Sequence, residues 1–146
     1  MTGSDTIIIK RSNSLVFMRF DDGDNFVDIL GVKLKENNLN SGMVINGVGM
    51  LKKVTLGWFN VDTSGYEHTT YSDPHEVLSL SGNISLKDGI PFAHIHAALA
   101  GRDNRVIGGH LFSGIVCNTI ELFIHEIKSI ELIRLDGDTF RALGYK

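Results

Sequence analysis

The sequence predicts an α+β domain, a mostly antiparallel β-sheet with one principal helix packed alongside. Three features lead there. Only one stretch, Asp21–Gly42, joins helical apolar spacing to start and stop residues. From Gly42 onward the apolar residues fall in short runs or in strict alternation, and turn-forming clusters ("KDGIP", "GRDNR", "LDGDT") separate several of them. The 146 residues suit one domain with a single sizeable core, and no repeat, low-complexity tract or proline-rich linker divides them. One domain over residues 1–146 is therefore expected.

The elements follow in order. "SLVFMRF" (Ser14–Phe20) reads as a strand. In the helix Asp24 is placed to cap the N-terminus, and Phe26, Ile29, Leu30, Lys33 and Leu34 form an apolar stripe with a lysine stem along it. Asn37, Asn38 and Gly42 supply the stop. "GMVINGVGMLKKVTLGWFNVD" holds two apolar runs around Gly47 and Gly49. "HEVLSLSGNISL" alternates, with Leu78, Leu80, Ile84 and Leu86 on one face and Ser79, Ser81, Asn83 and Ser85 on the other. "PFAHIHAALA", "RVIGGHLF", "GIVCNTIELFIHEI" and "SIELIRL" complete the series of strands.

Composition excludes several function classes. Hydrophobic residues at 42% and charged residues at 21% mark an ordinary globular chain. No apolar run approaches the roughly 20 residues needed to cross a bilayer, and "MTGSDTIIIK" lacks the pattern of a signal peptide. The single cysteine, Cys117, has no partner for an internal disulfide and reads as a small buried hydrophobe within "GIVCNTIEL". A cytoplasmic protein is the expectation. Fourteen Lys and Arg against seventeen Asp and Glu give a net charge of −3, with Lys10-Arg11 and Lys52-Lys53 as the adjacent basic pairs. A binder of duplex DNA needs a basic face to displace counterions from phosphates, so direct DNA binding is not expected.

The chemistry concentrates in "HIHAALAGRDNRVIGGHL", His94–Leu111. If "GRDNR" is a hairpin turn centred on Asp103, His96 stands opposite His110, with Cβ atoms roughly 4.5–5.5 Å apart. His94 is two residues along the same strand and points to the same face. Ala98 falls opposite Gly108, which leaves space beside the imidazoles, while Ile95, Leu99, Ile107 and Leu111 point to the core. Three neutral imidazoles with an open fourth position suit a divalent metal, Zn²⁺ first; Ni²⁺, Co²⁺ and Fe²⁺ take the same donors. The alternative is a stacked or solvated trio of histidines without metal. Glu76 shares the parity of Leu78 and Leu80, so a carboxylate at the edge of a buried face is expected there, as a general base or simply as a paired group. His68 and His75 flank the loop-like "TTYSDP" and His125 ends a strand; each reads as a surface or satisfied histidine. No phosphate-binding glycine loop and no nucleophile elbow is present.

These motifs occur in a familiar order: "GVGMLKKVTLGWFN", "HEVLSLSGNISL", "AHIHAALAGRDNRVIGGHL", "NTIELFI" and "ELIRLDGDTF". Over roughly Ser14 to Leu143 the chain resembles the plants-and-prokaryotes-conserved (PPC) domain, with H-x-H…GGHL as the most specific part. The resemblance implies a mostly antiparallel sheet with a helix alongside, assembled as a homotrimer. It also implies a metal held by His94, His96 and His110, one per chain. In plants the domain follows a DNA-binding AT-hook and serves oligomerisation and protein interaction; the sequence here contains no "RGRP"-type hook. A trimeric metal-binding module for a small ligand or a protein partner is the first expectation. A metal-dependent enzyme that uses a water held by the three histidines on a small substrate is the second. A DNA-associated regulator acting through partners is the third.

Overall fold

The computed structural model describes residues 8–146. Residues 1–7, which make up most of the stretch used to argue against a signal peptide, lie outside them. The elements run β1 (Ile8–Ser12), β2 (Leu15–Asp21), α1 (Phe26–Glu36), β3 (Gly42–Asn60), β4 (Gly65–Tyr71), β5 (His75–Lys87), β6 (Ile90–Ala100), β7 (Val106–Glu126), β8 (Leu132–Arg134) and β9 (Leu143–Tyr145). Nine strands form one sheet, antiparallel except where β8 lies parallel to β5. Strand β3 pairs with β5 and β7, and β6 pairs with β5 and β7, so β3, β5, β6 and β7 close into a ring. The expected class, a mostly antiparallel sheet with one helix, is what the described residues form.

Closure depends on two long strands that bend. β3 changes register against β7 after Val44, Gly49, Lys52 and Thr55. At two of these places the backbone has positive φ, 139° at Gly49 and 49° at Lys53. Extra residues of this kind increase the local twist and re-aim the strand. The first half of β3 (42–51) can then pair with β5, and its last part (54–60) with β4. β7 behaves likewise, with β6 on its first five residues and β2 on Thr119–His125. "RVIGGHLF" and "GIVCNTIELFIHEI", read as two strands, are therefore one strand of 21 residues.

The core gathers Met18 and Phe20 of β2, Phe26, Leu30 and Leu34 of α1, Leu51 and Leu56 of β3, Leu80 and Ile84 of β5, and Ile120, Leu122 and Ile124 of β7. Phe20 and Phe26 meet edge to face with centroids 4.9 Å apart, which fixes the start of α1 on the sheet. The helix stripe is as the spacing predicts, but its ends differ. Asn25, not Asp24, occupies the N-cap, and its side chain makes no capping bond. The Asp24 carboxylate instead accepts from the Asp21 N–H and tightens the turn before the helix. Asn38, at φ 52°, makes the left-handed stop, whereas Gly42 already belongs to β3, where a Cβ would come within 2.9 Å of the His125 carbonyl.

Four further expectations change. Leu78 is 49% exposed and Val77 is buried, because β5 slips register between Val77 and Ser79 and the two residues exchange faces. Cys117 is half-buried rather than buried. "SIELIRL" contributes only the three residues of β8, and the polar segment Gly65–Tyr71 is a strand along β3.

Two glycines test this packing from opposite sides. Gly31 lies inside α1 with nothing within 4 Å of an added Cβ. Gly31→Ala should therefore stabilise by about 0.5–1 kcal/mol through helix propensity. Gly82 of β5 has the His94 carbonyl where its Cβ would go. Gly82→Ala should destabilise by about 1–3 kcal/mol as the strands are forced apart. Urea midpoints moving in the same direction for both variants would contradict the packing described.

Candidate metal centre

The β6–β7 turn sets the site. Gly101 N–H donates to the Arg105 carbonyl at 3.0 Å, and Asn104 N–H donates to the Gly101 carbonyl at 2.9 Å. Asn104 takes the left-handed conformation at φ 61°, which asparagine tolerates well. Beyond this turn Ala98 pairs with Gly108, Ala97 with Gly109 and His96 with His110. The same row continues on both sides. Ser81 of β5 stands opposite His96. Gly57 of β3 stands opposite His110 on one side and His68 of β4 on the other. His94 follows His96 on the same face, while Ile95, Ala97, Leu99 and Leu111 are buried on the other.

One ring nitrogen from each of His94, His96 and His110 lies within 4.8 Å of the others. The Nε2 atoms of His94 and His96 are 3.2 Å apart. Nitrogens bound to one tetrahedral ion at about 2.0–2.1 Å stand roughly 3.3 Å from each other. The His94–His96 spacing is therefore already that of two ligands on one ion, with His110 beside them. His110 Nδ1 is buried and has no hydrogen-bond partner among the described residues. An unsatisfied buried polar atom costs about 1–3 kcal/mol, so a nitrogen of this kind suits a metal ligand. The donor set fits a divalent metal.

The electrostatics fit as well. Burial, followed by the positive fields of His94, His96, Arg134 and His68, pushes the His110 imidazole down to about 4. Burial and then the charge of Arg134 lower His94. Metal ligands must be neutral imidazoles, so these shifts keep His94 and His110 in the binding form near neutral pH.

Residues not singled out in the sequence, together with His68, complete the surroundings. Arg134 of β8 donates from Nε to Ser85 Oγ at 3.1 Å and from Nη2 to Asn83 Oδ1, and its Nη2 lies 3.3 Å from His94 Nδ1. Phe112 and Tyr66 form an aromatic wall, with ring centroids 4.5 and 5.0 Å from His110. His68, exposed at the end of the row, packs edge-on against Phe112 at 4.4 Å. Gly57 permits this wall, because a Cβ there would run into the Phe112 ring. A shallow cavity of about 210 Å³ opens on the β5 side of the histidines, lined by Ser81, Gly82, Asn83, His94 and His96.

Other candidates fall elsewhere. Glu76 is exposed and pairs with Ala100, four residues along β6 from His96, roughly 13 Å at the rise of a strand. It shares its parity with the outward Leu78, because the register slip that exchanges Val77 and Leu78 carries it off the buried face. Its surroundings are a separate cavity with Asp73, His75 and Asp103. Gly108 lies against the Ala97 carbonyl, 2.8 Å from where a Cβ would sit, so it serves strand contact, with Ala98 opposite. His75 is buried with Nδ1 2.8 Å from the Asp73 carbonyl, and His125 is exposed.

The architecture and the chain match known proteins over nearly their whole length. A plant- and prokaryote-conserved (PPC) protein from Pyrococcus horikoshii superposes with a TM-score of 0.83 at 29% identity, over 97% of this chain and 96% of that one. A protein from Bacteroides thetaiotaomicron described as a candidate DNA-binding protein gives 0.87 at 26%, over 97% and 98%. The metal-containing protein from Archaeoglobus fulgidus gives 0.81 at 27%, over 97% and 99%. No curated protein matches the chain. The model of the Plants and Prokaryotes Conserved (PCC) domain matches residues 9–128, the span that carries β2 to β7 and all three histidines, and the chain belongs to that family.

Proposed function

We propose that this protein is a homotrimeric metal-binding module. Each chain holds one divalent ion, zinc, through His94, His96 and His110, and serves as a binding site for a small ligand or a protein partner. The observation that carries the reading is the convergence of three ring nitrogens within 4.8 Å on an open sheet face. The metal-containing neighbour from Archaeoglobus fulgidus supports it. Zinc is favoured because three imidazoles with one position left open are its common arrangement. No helix among the described residues is long and apolar enough to cross a membrane, and a lone free thiol at Cys117 suits a reducing, cytoplasmic compartment. The net charge of −3 disfavours direct contact with duplex DNA.

Trimer formation is supported by surplus apolar surface. Met43, Ile45, Val48, Leu78 and Phe123 are each 39% exposed or more, all on strands of one sheet. Phe17 and Phe123 lie together at 5.2 Å between ring centroids. An outward patch of this kind marks an interface, and cyclic closure buries it. The number three follows the family.

Replacing His96, which is exposed, should leave the fold intact and remove the ion. In His96→Ala, zinc measured by plasma mass spectrometry should fall from about one per chain to below about a tenth. Unchanged zinc would exclude the assignment. Light scattering on the eluting protein should give three times the chain mass of 16.1 kDa, and a monomer at micromolar concentration would contradict the interface.

A further inference from the structure

We infer that the histidine centre takes a small carboxylate as its ligand, with one oxygen at the open metal position and the other held by Arg134. The inference rests on the metal reading and extends it to the class of molecule bound.

Arg134 carries a charge that no neighbouring carboxylate among the described residues balances. Arg11, Arg19, Arg105 and Arg141 each pair with a carboxylate. Arg134 is part-buried, and among the described residues its partners are the neutral Ser85, Asn83 and His94 and the Arg141 carbonyl. The Phe92 ring, 5.7 Å away, covers part of the guanidinium. The trio consists of neutral donors, so a bound dication would add two charges beside this cation, with no acidic side chain in the cluster. Two such charges repel strongly where water is partly excluded, and an anion between them removes the conflict.

Hydrogen-bond chemistry selects where that anion goes. The Nε2 atoms of His94 and His96 face each other at 3.2 Å, so Nε2 is the side of His94 turned into the cluster. An imidazole that gives its Nε2 lone pair to a metal carries its proton on Nδ1. His94 Nδ1 then ceases to be an acceptor for Arg134 Nη2, the contact now at 3.3 Å. Loading the metal thus frees an Nη2 N–H directly beside the centre, and Nη1 has a second N–H beyond its 3.4 Å contact with the Arg141 carbonyl. A planar guanidinium offering adjacent donors matches a carboxylate. The cavity of about 210 Å³ bordered by Asn83, His94 and His96 gives a small acid room to enter.

The test uses full-length protein loaded with Co²⁺, whose visible absorption reports the ligands of the ion, and acetate as the probe. Wild-type protein should bind one Co²⁺ per chain, and acetate should then change the spectrum saturably, at least about tenfold more tightly than the neutral isostere acetamide. Arg134→Gln should retain Co²⁺ and lose acetate affinity by about tenfold or more, and Arg134→Lys should fall between. Stoichiometric Co²⁺ with no acetate response, or equal responses to acetate and acetamide, would overturn the carboxylate site alone. Failure of the wild type to bind Co²⁺ would overturn the metal reading and this inference with it. The acetate–acetamide comparison is made on wild-type protein, so it decides the matter even if the arginine variants do not fold.

Discussion

The cross-strand register of β6 and β7 is the constraint on which the site depends. Side chains alternate along a strand with period two, so a slip of one residue would send His96 to the core and Ile95 or Ala97 to the surface. Two devices prevent this. The turn locks its own geometry through Asn104 at positive φ and the Arg105 N–H bonded to the Asp103 carboxylate at 3.1 Å. The buried face supplies the second, since Ile95, Leu99 and Leu111 would have to enter water for the register to shift.

The same strands separate two kinds of chemistry. Apolar side chains fill the interior of the ring formed by β3, β5, β6 and β7, while its outside carries imidazoles, an arginine and aromatic rings. Small residues make the outer arrangement possible. Gly57 lets Phe112 and Tyr66 close over the strand beside His110, and Gly82 lets β5 approach the backbone of His94. The histidines are consequently placed by backbone pairing, with Phe112 and Tyr66 packed beside His110. Their geometry is therefore expected to tolerate an empty site, a bound ion, or a change of ion within the family of nitrogen-preferring metals.

Much of this was legible in the sequence, and the reasons are local. The His96–His110 pairing followed from a turn of obvious composition and the period of two. The helix followed from the spacing of Phe26, Leu30 and Leu34. What escaped required information from distant parts of the chain. The strand Gly65–Tyr71 is polar and exposed because it pairs only with β3, outside the ring, so no alternation announces it. Leu78 was misplaced because a register slip inverts parity without changing the residue pattern. Asp24 resembled a helix cap but serves the preceding turn. Arg134 gave no signal at all, since it reaches His94 across 40 residues of sequence through a three-residue strand.

The electrostatic arrangement is simple: His94 and His110 are pushed below the usual imidazole range by burial and by neighbouring positive charge, next to Arg134, whose partners among the described residues include no acidic side chain. Such a cluster has little structural purpose on its own, because packed apolar residues would stabilise the strands better. That the three imidazoles form one metal centre is open to direct measurement. Anomalous diffraction from crystals of the purified protein, collected on both sides of the zinc absorption edge, tests it most directly. One peak per chain is expected, about 2.0–2.1 Å from a ring nitrogen of His94, His96 and His110. A map without a peak there, from protein shown by elemental analysis to carry stoichiometric zinc, would contradict it.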